Sequence, residues 1–184
     1  MRQEMLSSPI PTARLVLEPV QSAFAQCLFD HINDWEVMRW LASPPWPYAL
    51  ADMNLWISRS RAARNARRDA DFAITLDGRP IGVIGLAGLG IGPVLGYWLA
   101  RPFWGRGYMS EAAEALLAQA FADGQSFVAS GVLEGNAASL RVQEKLGFRI
   151  VNERYIQARP HGRPMPHVDT ILGQSQWSQA RRAA

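Results

Sequence analysis

The segment with the clearest chemical potential is a glycine turn at residues 103–110, which reads Phe-Trp-Gly-Arg-Gly-Tyr-Met-Ser. It follows a strand-like run, Val94 to Ala100, and precedes a helix-like run, Ser110 to Asp123. Glycines let a backbone approach a ligand closely, and the first turn of a helix offers unpaired N–H groups at its positive end. The segment therefore predicts a site for an anionic ligand such as a phosphate, although the two glycines alone would also suit a tight connection.

A second polar segment follows at residues 136–148. Asn136 is a good N-cap for a helix over Ala137 to Leu146, and Gly147 is a good C-terminal stop. Ser139 lies in the first turn, where a hydroxyl can either serve chemistry or bond its own backbone. The two segments together indicate a phosphate-bearing ligand with polar side chains beside it.

The remaining elements are those that must position these segments. Asp77-Gly78 is a strong signal for a two-residue β-hairpin. The strand, glycine turn, helix and strand order requires a crossover, so the strands at 94–100 and 127–133 should run parallel. The other predicted strands are Arg14–Glu18, Phe72–Leu76, Pro80–Leu86, Phe148–Ile156 and His167–Leu172, and the other predicted helices are Gln21–Asp30, Asp34–Leu41 and Ala49–Arg68. We predict one mixed α/β domain over residues 1–184, with helices on both faces of a central sheet.

Composition excludes several classes of protein. The chain has 184 residues, a formal charge of +3, 48% hydrophobic and 19% charged residues, as expected of a globular domain. Cys27 is the only cysteine and the three histidines lack metal-ligand spacing, so we expect no disulfide and no metal. No recognition motif accompanies the basic charge, so we do not expect nucleic-acid binding. The N-terminus has no signal-peptide core and Pro80 to Ala100 reads as two strands, so we expect a cytoplasmic protein without a membrane span.

At these segments the chain resembles the GNAT superfamily of acyl-CoA-dependent N-acyltransferases, and within it the RimJ/RimL-type branch, which acetylates ribosomal-protein N-termini. The Trp104–Met109 stretch matches the pyrophosphate turn of that superfamily, and Glu111 follows it as is typical of the branch. The resemblance implies a central, mostly antiparallel sheet with a splayed parallel strand pair, and acetyl-CoA as cosubstrate. It implies cofactor contacts at Leu99, Ala100, Trp104, Gly105, Arg106, Gly107, Tyr108, Met109, Asn136 and Ser139.

The chain departs from the family pattern at two positions. Met109 stands where the turn calls for Gly or Ala, and Gln143 stands where many members carry a tyrosine that protonates the leaving thiolate. Ser139, one turn earlier, is the hydroxyl that we expect to take that role. Glu111 is a candidate catalytic group, although an acid in the first turn of a helix also suits the helix dipole.

The acceptor half of the site is less determined by sequence. Trp46 and Tyr48, in the proline-rich segment at residues 43–48, are expected to line the acceptor pocket together with the loop at residues 158–166. No residue stands out as the general base; Glu111, Glu36, His31 and the histidines of the last loop remain open. We expect an N-acetyltransferase for a protein or peptide N-terminus or a small amine. Whether the chain forms a homodimer is left open by the sequence. A non-catalytic acyl-CoA-binding or partner-binding member of the same fold is the alternative.

Overall fold

A computed structural model describes residues 8–182 of the chain. The strands are β1 (Ile10–Pro11), β2 (Val16–Pro19), β3 (Asp69–Leu76), β4 (Arg79–Ala87), β5 (Val94–Leu99), β6 (Phe127–Leu133), β7 (Arg149–Ala158) and β8 (Arg163–Gly173). The helices are α1 (Ala25–Ile32), α2 (Trp35–Met38), α3 (Leu50–Asn65), α4 (Tyr108–Ala122), α5 (Ala137–Lys145) and α6 (Gln174–Arg182). No helix in this part of the chain is both long enough and apolar enough to cross a bilayer.

The eight strands form one sheet in the order β1-β2-β3-β4-β5-β6-β8-β7. Every neighbouring pair is antiparallel except β5 and β6, which are parallel. The α/β fold class and the parallel middle pair are therefore confirmed. The hairpin between β3 and β4 is also confirmed, and both of its turn residues, Asp77 (φ 50°) and Gly78 (φ 74°), have the positive φ that such a turn requires.

The predicted boundaries hold best for the long elements and least well for the short ones. The helix predicted at Gln21–Asp30 begins as a 3-10 turn at Ser22–Phe24 and continues as α1 to Ile32. The helix predicted at Asp34–Leu41 begins at its predicted cap, Asp34, but is α-helical only to Met38, and i→i−3 hydrogen bonds continue the turn to Leu41. Strand β1 was not predicted, since two residues carry no periodicity.

Apolar side chains form one core on each face of the sheet. The first core packs α4 against the sheet and includes Phe72 and Leu116. The second core lies under α1 and α3 on the opposite face and includes Leu28, Ile57 and Val83. Because side chains alternate along a strand, the residues between those of the first core point towards the second face. This alternation assigns each strand residue to the face of α4 or to the face of α1 and α3.

The middle of the sheet is held by side chains where its backbone ladder stops. Strands β5 and β6 share one pair, Val94 with Ala129, and then diverge. Beyond it, Ser130 Oγ donates to Leu95 O at 2.9 Å and receives a hydrogen bond from Gln143 Nε2 at 3.0 Å. Thr170 Oγ1 completes the chain by donating to Gln143 Oε1 at 2.6 Å. This buried network ties β5, β6, β8 and α5 together at the apex of the splay.

The network predicts the effect of removing one hydroxyl. Thr170→Val keeps the size and branching of the side chain but leaves the buried Oε1 of Gln143 without its donor. We expect the free energy of unfolding to fall by about 1–3 kcal/mol, measured by urea denaturation. Thr170→Ser keeps the hydroxyl and should retain more stability than the valine variant. Equal losses in the two variants would contradict a role for this hydrogen bond.

Candidate active site

The diverging strands open a cleft of about 700 Å³ that reaches both faces of the sheet. The glycine turn and the start of α5 line one side of it. The segment that precedes α3, together with the second-core face of β4 and β5, lines the other side. The splay therefore joins the predicted anion site and the predicted acceptor side in one cavity.

The glycine turn has the conformation that an anion site requires. Gly105 (φ 72°) and Gly107 (φ 77°) both adopt left-handed backbone, and Gly107 is the N-cap of α4. The space around the Cα of Gly105 is open, so the backbone of the turn is accessible. Met109, the departure from the family pattern, is 8% exposed, packs into the first core and also lines the cleft.

Glu111 connects the segment before β2 to this turn through hydrogen bonds. Its carboxylate accepts hydrogen bonds from the Thr12 hydroxyl (2.6 Å), the Arg14 backbone N–H (2.7 Å) and Arg14 Nε (2.7 Å). Arg14 in turn donates through Nη1 to the carbonyl of Arg106 at 3.0 Å and stacks on the Tyr108 ring. Burial alone would raise the pKa of Glu111, but the hydrogen bonds from Thr12 and Arg14 outweigh it and hold the pKa below its ordinary value. These contacts favour a structural role for Glu111 over a catalytic one.

Two hydroxyls meet on the first-core face of the splay. Ser139 Oγ lies 3.0 Å from the Tyr97 hydroxyl, which also contacts the carbonyl of Ser139 at 3.2 Å. The Ser139 backbone N–H donates to Asn136 Oδ1 at 3.1 Å, so Asn136 is the predicted N-cap of α5. Sequence reasoning missed Tyr97, because its contact with Ser139 joins residues 42 positions apart. Burial raises the pKa of the Tyr97 phenol, with Ser139 and Gln143 opposing, so the phenol is protonated at neutral pH.

Backbone groups of β5 face the gap between the strands. Pro93 O accepts from Ala129 N and Leu95 O accepts from Ser130 Oγ, so odd-numbered residues of β5 direct their backbone groups towards β6. Tyr97 and Leu99 are also odd-numbered, so their backbone groups point towards β6 as well. At these positions β6 no longer pairs with β5. Ala100, by contrast, donates its N–H back to the sheet, to Ile81 O at 2.9 Å.

Trp104 folds back over the same strand, with its indole N–H donating to Leu99 O at 2.7 Å. The indole thus satisfies the carbonyl of Leu99 and leaves the N–H of that residue directed at the gap.

The predicted acceptor aromatics occupy different environments. Tyr48 is 8% exposed, stacks on Phe29 at 6.4 Å and lines the cleft, and burial raises its pKa to about 12. Trp46 is 38% exposed, and its ring centroid lies 5.4 Å from that of Trp35. It is not among the residues that line the cleft. Trp35 in turn contacts His161 at 5.3 Å, so an aromatic group lies on the surface beside the cleft.

Most of the open base candidates are engaged elsewhere. His31 packs edge-on against Phe103 at 6.1 Å, Glu36 pairs with Arg39 at 3.4 Å, and His161 Nε2 contacts the carbonyl of Arg39 at 2.8 Å. His167 is the exception, since it lines the cleft. Asp71, which sequence reasoning did not single out, also lines it.

Comparisons with known proteins agree with this geometry. A family model described as an acetyltransferase (GNAT) domain matches residues 14–149. The uncharacterized protein YkkB of Bacillus subtilis (strain 168) is 44% identical over 55 residues, which are 29% of this chain and 32% of YkkB. The chain therefore matches about a third of the length of that curated relative.

Solved structures share the fold at lower identity. RimJ of Mycobacterium smegmatis, solved in complex with CoA-disulfide, is similar with a TM-score of 0.85 and 20% identity over 97% of this chain and 94% of that one. RimL, a ribosomal L7/L12 alpha-N-protein acetyltransferase solved with coenzyme A, has a TM-score of 0.81 and 17% identity over 90% of this chain and 97% of its own.

The contacts of Glu111 predict a pH-dependent stability. Because its folded-state pKa is lowered, the carboxylate contributes stability above its unfolded pKa of about 4.3, and the contribution disappears as pH falls through the folded value. Glu111→Gln should therefore lower Tm at pH 7, and the difference from the parent should shrink below about pH 4. Scanning calorimetry from pH 3 to 7 measures this, with the exposed Glu144→Gln as control. A difference that does not depend on pH would contradict the ionic contribution.

Proposed function

This chain belongs to the GNAT acetyltransferase family, and we propose that it moves an acetyl group from acetyl-CoA to a primary amine. The acceptor that we propose is the N-terminal amine of a protein or peptide, or a small-molecule amine of similar size. The observation that carries the proposal is the position of the splay. It opens a single cleft, with the glycine turn on one side and the segment that precedes α3 on the other.

The residues of the cleft fit an acyl-CoA. The turn at Gly105 and Gly107 offers backbone donors at the start of α4, which suits a pyrophosphate. Asn136 and Ser139 border the path from this turn to the splay, where the backbone of Leu99 faces the gap. When bound, acetyl-CoA supplies the activated acetyl group as a thioester.

The reaction needs three things from the protein: a donor for the carbonyl oxygen, a proton for the departing sulfur and a base for the amine. The backbone N–H groups of Tyr97 and Leu99 face the gap and suit the first task. We assign the second to Ser139, whose hydroxyl contacts the protonated phenol of Tyr97. In this proposal Tyr97 orients Ser139 and returns a proton to it.

The expected RimJ/RimL-like acceptor is favoured by the likeness in fold to a protein alpha-N-acetyltransferase over nearly the whole chain. A cytoplasmic location stays a prediction, and whether the chain forms a homodimer stays open. The alternative, a member that binds acyl-CoA without turnover, is less favoured because Ser139 and Tyr97 supply a hydroxyl pair where Gln143 replaces the family tyrosine.

The activity is tested by an acceptor screen. We expect the protein to release CoA from acetyl-CoA in the presence of peptides or small molecules with a free primary amine, measured with a thiol reagent. The same peptides with an acetylated N-terminus and no lysine are the matched controls, since they offer no amine. Binding of acetyl-CoA without turnover of any amine would contradict the proposal and favour the non-catalytic alternative.

The role of the hydroxyl pair is tested separately. Ser139→Ala should lower kcat by about 10²-fold, because a positioned proton donor contributes at least that much. Tyr97→Phe keeps the ring packed and should cause a smaller loss of kcat. Acetyl-CoA affinity, measured by calorimetry, should stay near the parent value in both variants, and Ser139→Thr should keep more activity than Ser139→Ala. A normal kcat in Ser139→Ala would leave Ser139 as a helix residue only.

A further inference from the structure

Three glycines lie in one row across the sheet, on the face opposite to Ser139 and Tyr97. Asp71 pairs with Gly85, and Gly85 pairs with Gly96. The parallel pair Val94 and Ala129 brings Gly96 level with Gly131, two residues further along each strand. Gly131 pairs in turn with Asp169. The row therefore crosses the splay two residues beyond the single β5–β6 pair.

The three glycine positions are filled differently. The Asp71 carboxylate lies over Gly85, where a Cβ would overlap Oδ1. The His167 ring lies over Gly131, where a Cβ would overlap Cε1 and Nε2. No atom lies within 4 Å of the position that a Cβ of Gly96 would take. The row thus forms a trough with an open floor at Gly96, a carboxylate at one end and an imidazole at the other.

The imidazole is held as a proton acceptor. His167 Nδ1 lies 3.0 Å from Asp169 Oδ1, within ion-pair distance although the angle is not that of a hydrogen bond, and Asp169 is fixed by Arg154 Nε at 2.6 Å and by Asn152 Nδ2 at 3.2 Å. A carboxylate beside Nδ1 favours the proton on that nitrogen and leaves Nε2 with a free lone pair. Burial lowers the pKa of His167, with Arg154 acting in the same direction and Asp169 opposing, so the neutral ring prevails at pH 7.

The carboxylate at the other end suits a cation. Asp71 lies beneath α3, beside the buried residue Ser60, whose hydroxyl interacts favourably with the Asp71 carboxylate. Burial raises the pKa of Asp71, and Asp69 acts in the same direction, while Ser60 and Arg64 oppose. No ion pair within 4 Å neutralises this carboxylate in the described residues, so a ligand ammonium can approach it from the trough.

We propose that this three-glycine trough is the acceptor-amine site, with His167 as the general base and Asp71 as the group that attracts the ammonium. The inference rests on the proposed acetyl transfer and names the base and the specificity element of the same site. The acceptor class is a primary, unhindered amine, because only the position over Gly96 is open while the side chains of Asp71 and His167 occupy the positions on either side of it.

The proton balance follows from this arrangement. His167 Nε2 takes one proton from the ammonium, directly or through water in the trough, and becomes an imidazolium. The neutral amine forms the C–N bond as the C–S bond breaks, and the sulfur receives a proton from Ser139 on the opposite face. After attack the nitrogen still carries one proton too many for a neutral amide. That proton passes to the hydroxyl pair and replaces the one that Ser139 gave to the sulfur. His167 then releases its own proton to solvent.

Three variants test the trough, each assayed with an amine that the parent acetylates. His167→Gln should lower kcat by about 10²-fold or more and abolish the fall in kcat/KM on the acid side of the parent pH profile. Asp71→Asn should raise the acceptor KM and keep that acid limb. Gly96→Ala, which the fold accommodates, should raise the acceptor KM by about tenfold or more while acetyl-CoA affinity is unchanged, since a methyl group occupies the floor.

Asp69→Asn is the control, since Asp69 lies two residues from Asp71 and, within residues 8–182, its Oδ1 accepts a hydrogen bond from the Gly88 backbone N–H alone, which an amide oxygen can accept equally well. It should resemble the parent. A His167→Gln variant with parental kcat and an intact acid limb would overturn the assignment of the base. A Gly96→Ala variant with an unchanged acceptor KM would overturn the site.

A binding measurement separates this inference from the proposed function. NMR of the His167 ring nitrogens, in the protein saturated with CoA, should detect the Nδ1–H form and a shift on titration with alanine amide. That shift would support the trough even if no amine in the screen were turned over. A His167 resonance that does not respond to alanine amide would overturn the trough even if acetyl transfer were observed.

Discussion

The site depends on a parallel pairing that stops after one residue pair. Adjacent parallel strands normally continue their ladder, and an interrupted one leaves polar backbone groups that must be satisfied in another way. In this chain a side-chain network through Ser130, Gln143 and Thr170 takes over where the ladder ends. The network fixes the apex of the splay, while the groups beyond it stay available to a ligand.

This network also explains the replacement of the family tyrosine. Gln143 is 1% exposed and uses both ends of its amide inside the network, so it belongs to the scaffold of the cleft. A hydroxyl reaches the same region from the neighbouring strand instead, since Tyr97 lies on β5 and contacts Ser139.

The two faces of the sheet divide the proposed chemistry. Tyr97 and Ser139 lie on the face of α4 and α5, while the row of glycines with Asp71 and His167 lies on the face of α1 and α3. Because consecutive residues of a strand point to opposite faces, Gly96 and Tyr97 can serve the two sides from neighbouring positions. Such an arrangement keeps the group that removes a proton apart from the group that supplies one.

The sequence by itself determined the elements and motifs that depend on local chemistry. The glycine turn, the N-cap at Asn136, the hairpin at Asp77-Gly78 and the parallel middle strands were all predictable, because turn residues, caps and crossovers follow rules of short range. Tertiary structure alone decided which side chains meet. The hydrogen bonds of Glu111 to residues nearly 100 positions away, the pairing of Tyr97 with Ser139 and the alignment of three glycines depend on strand register. Register is set by packing across the whole sheet, so no local pattern could have revealed it.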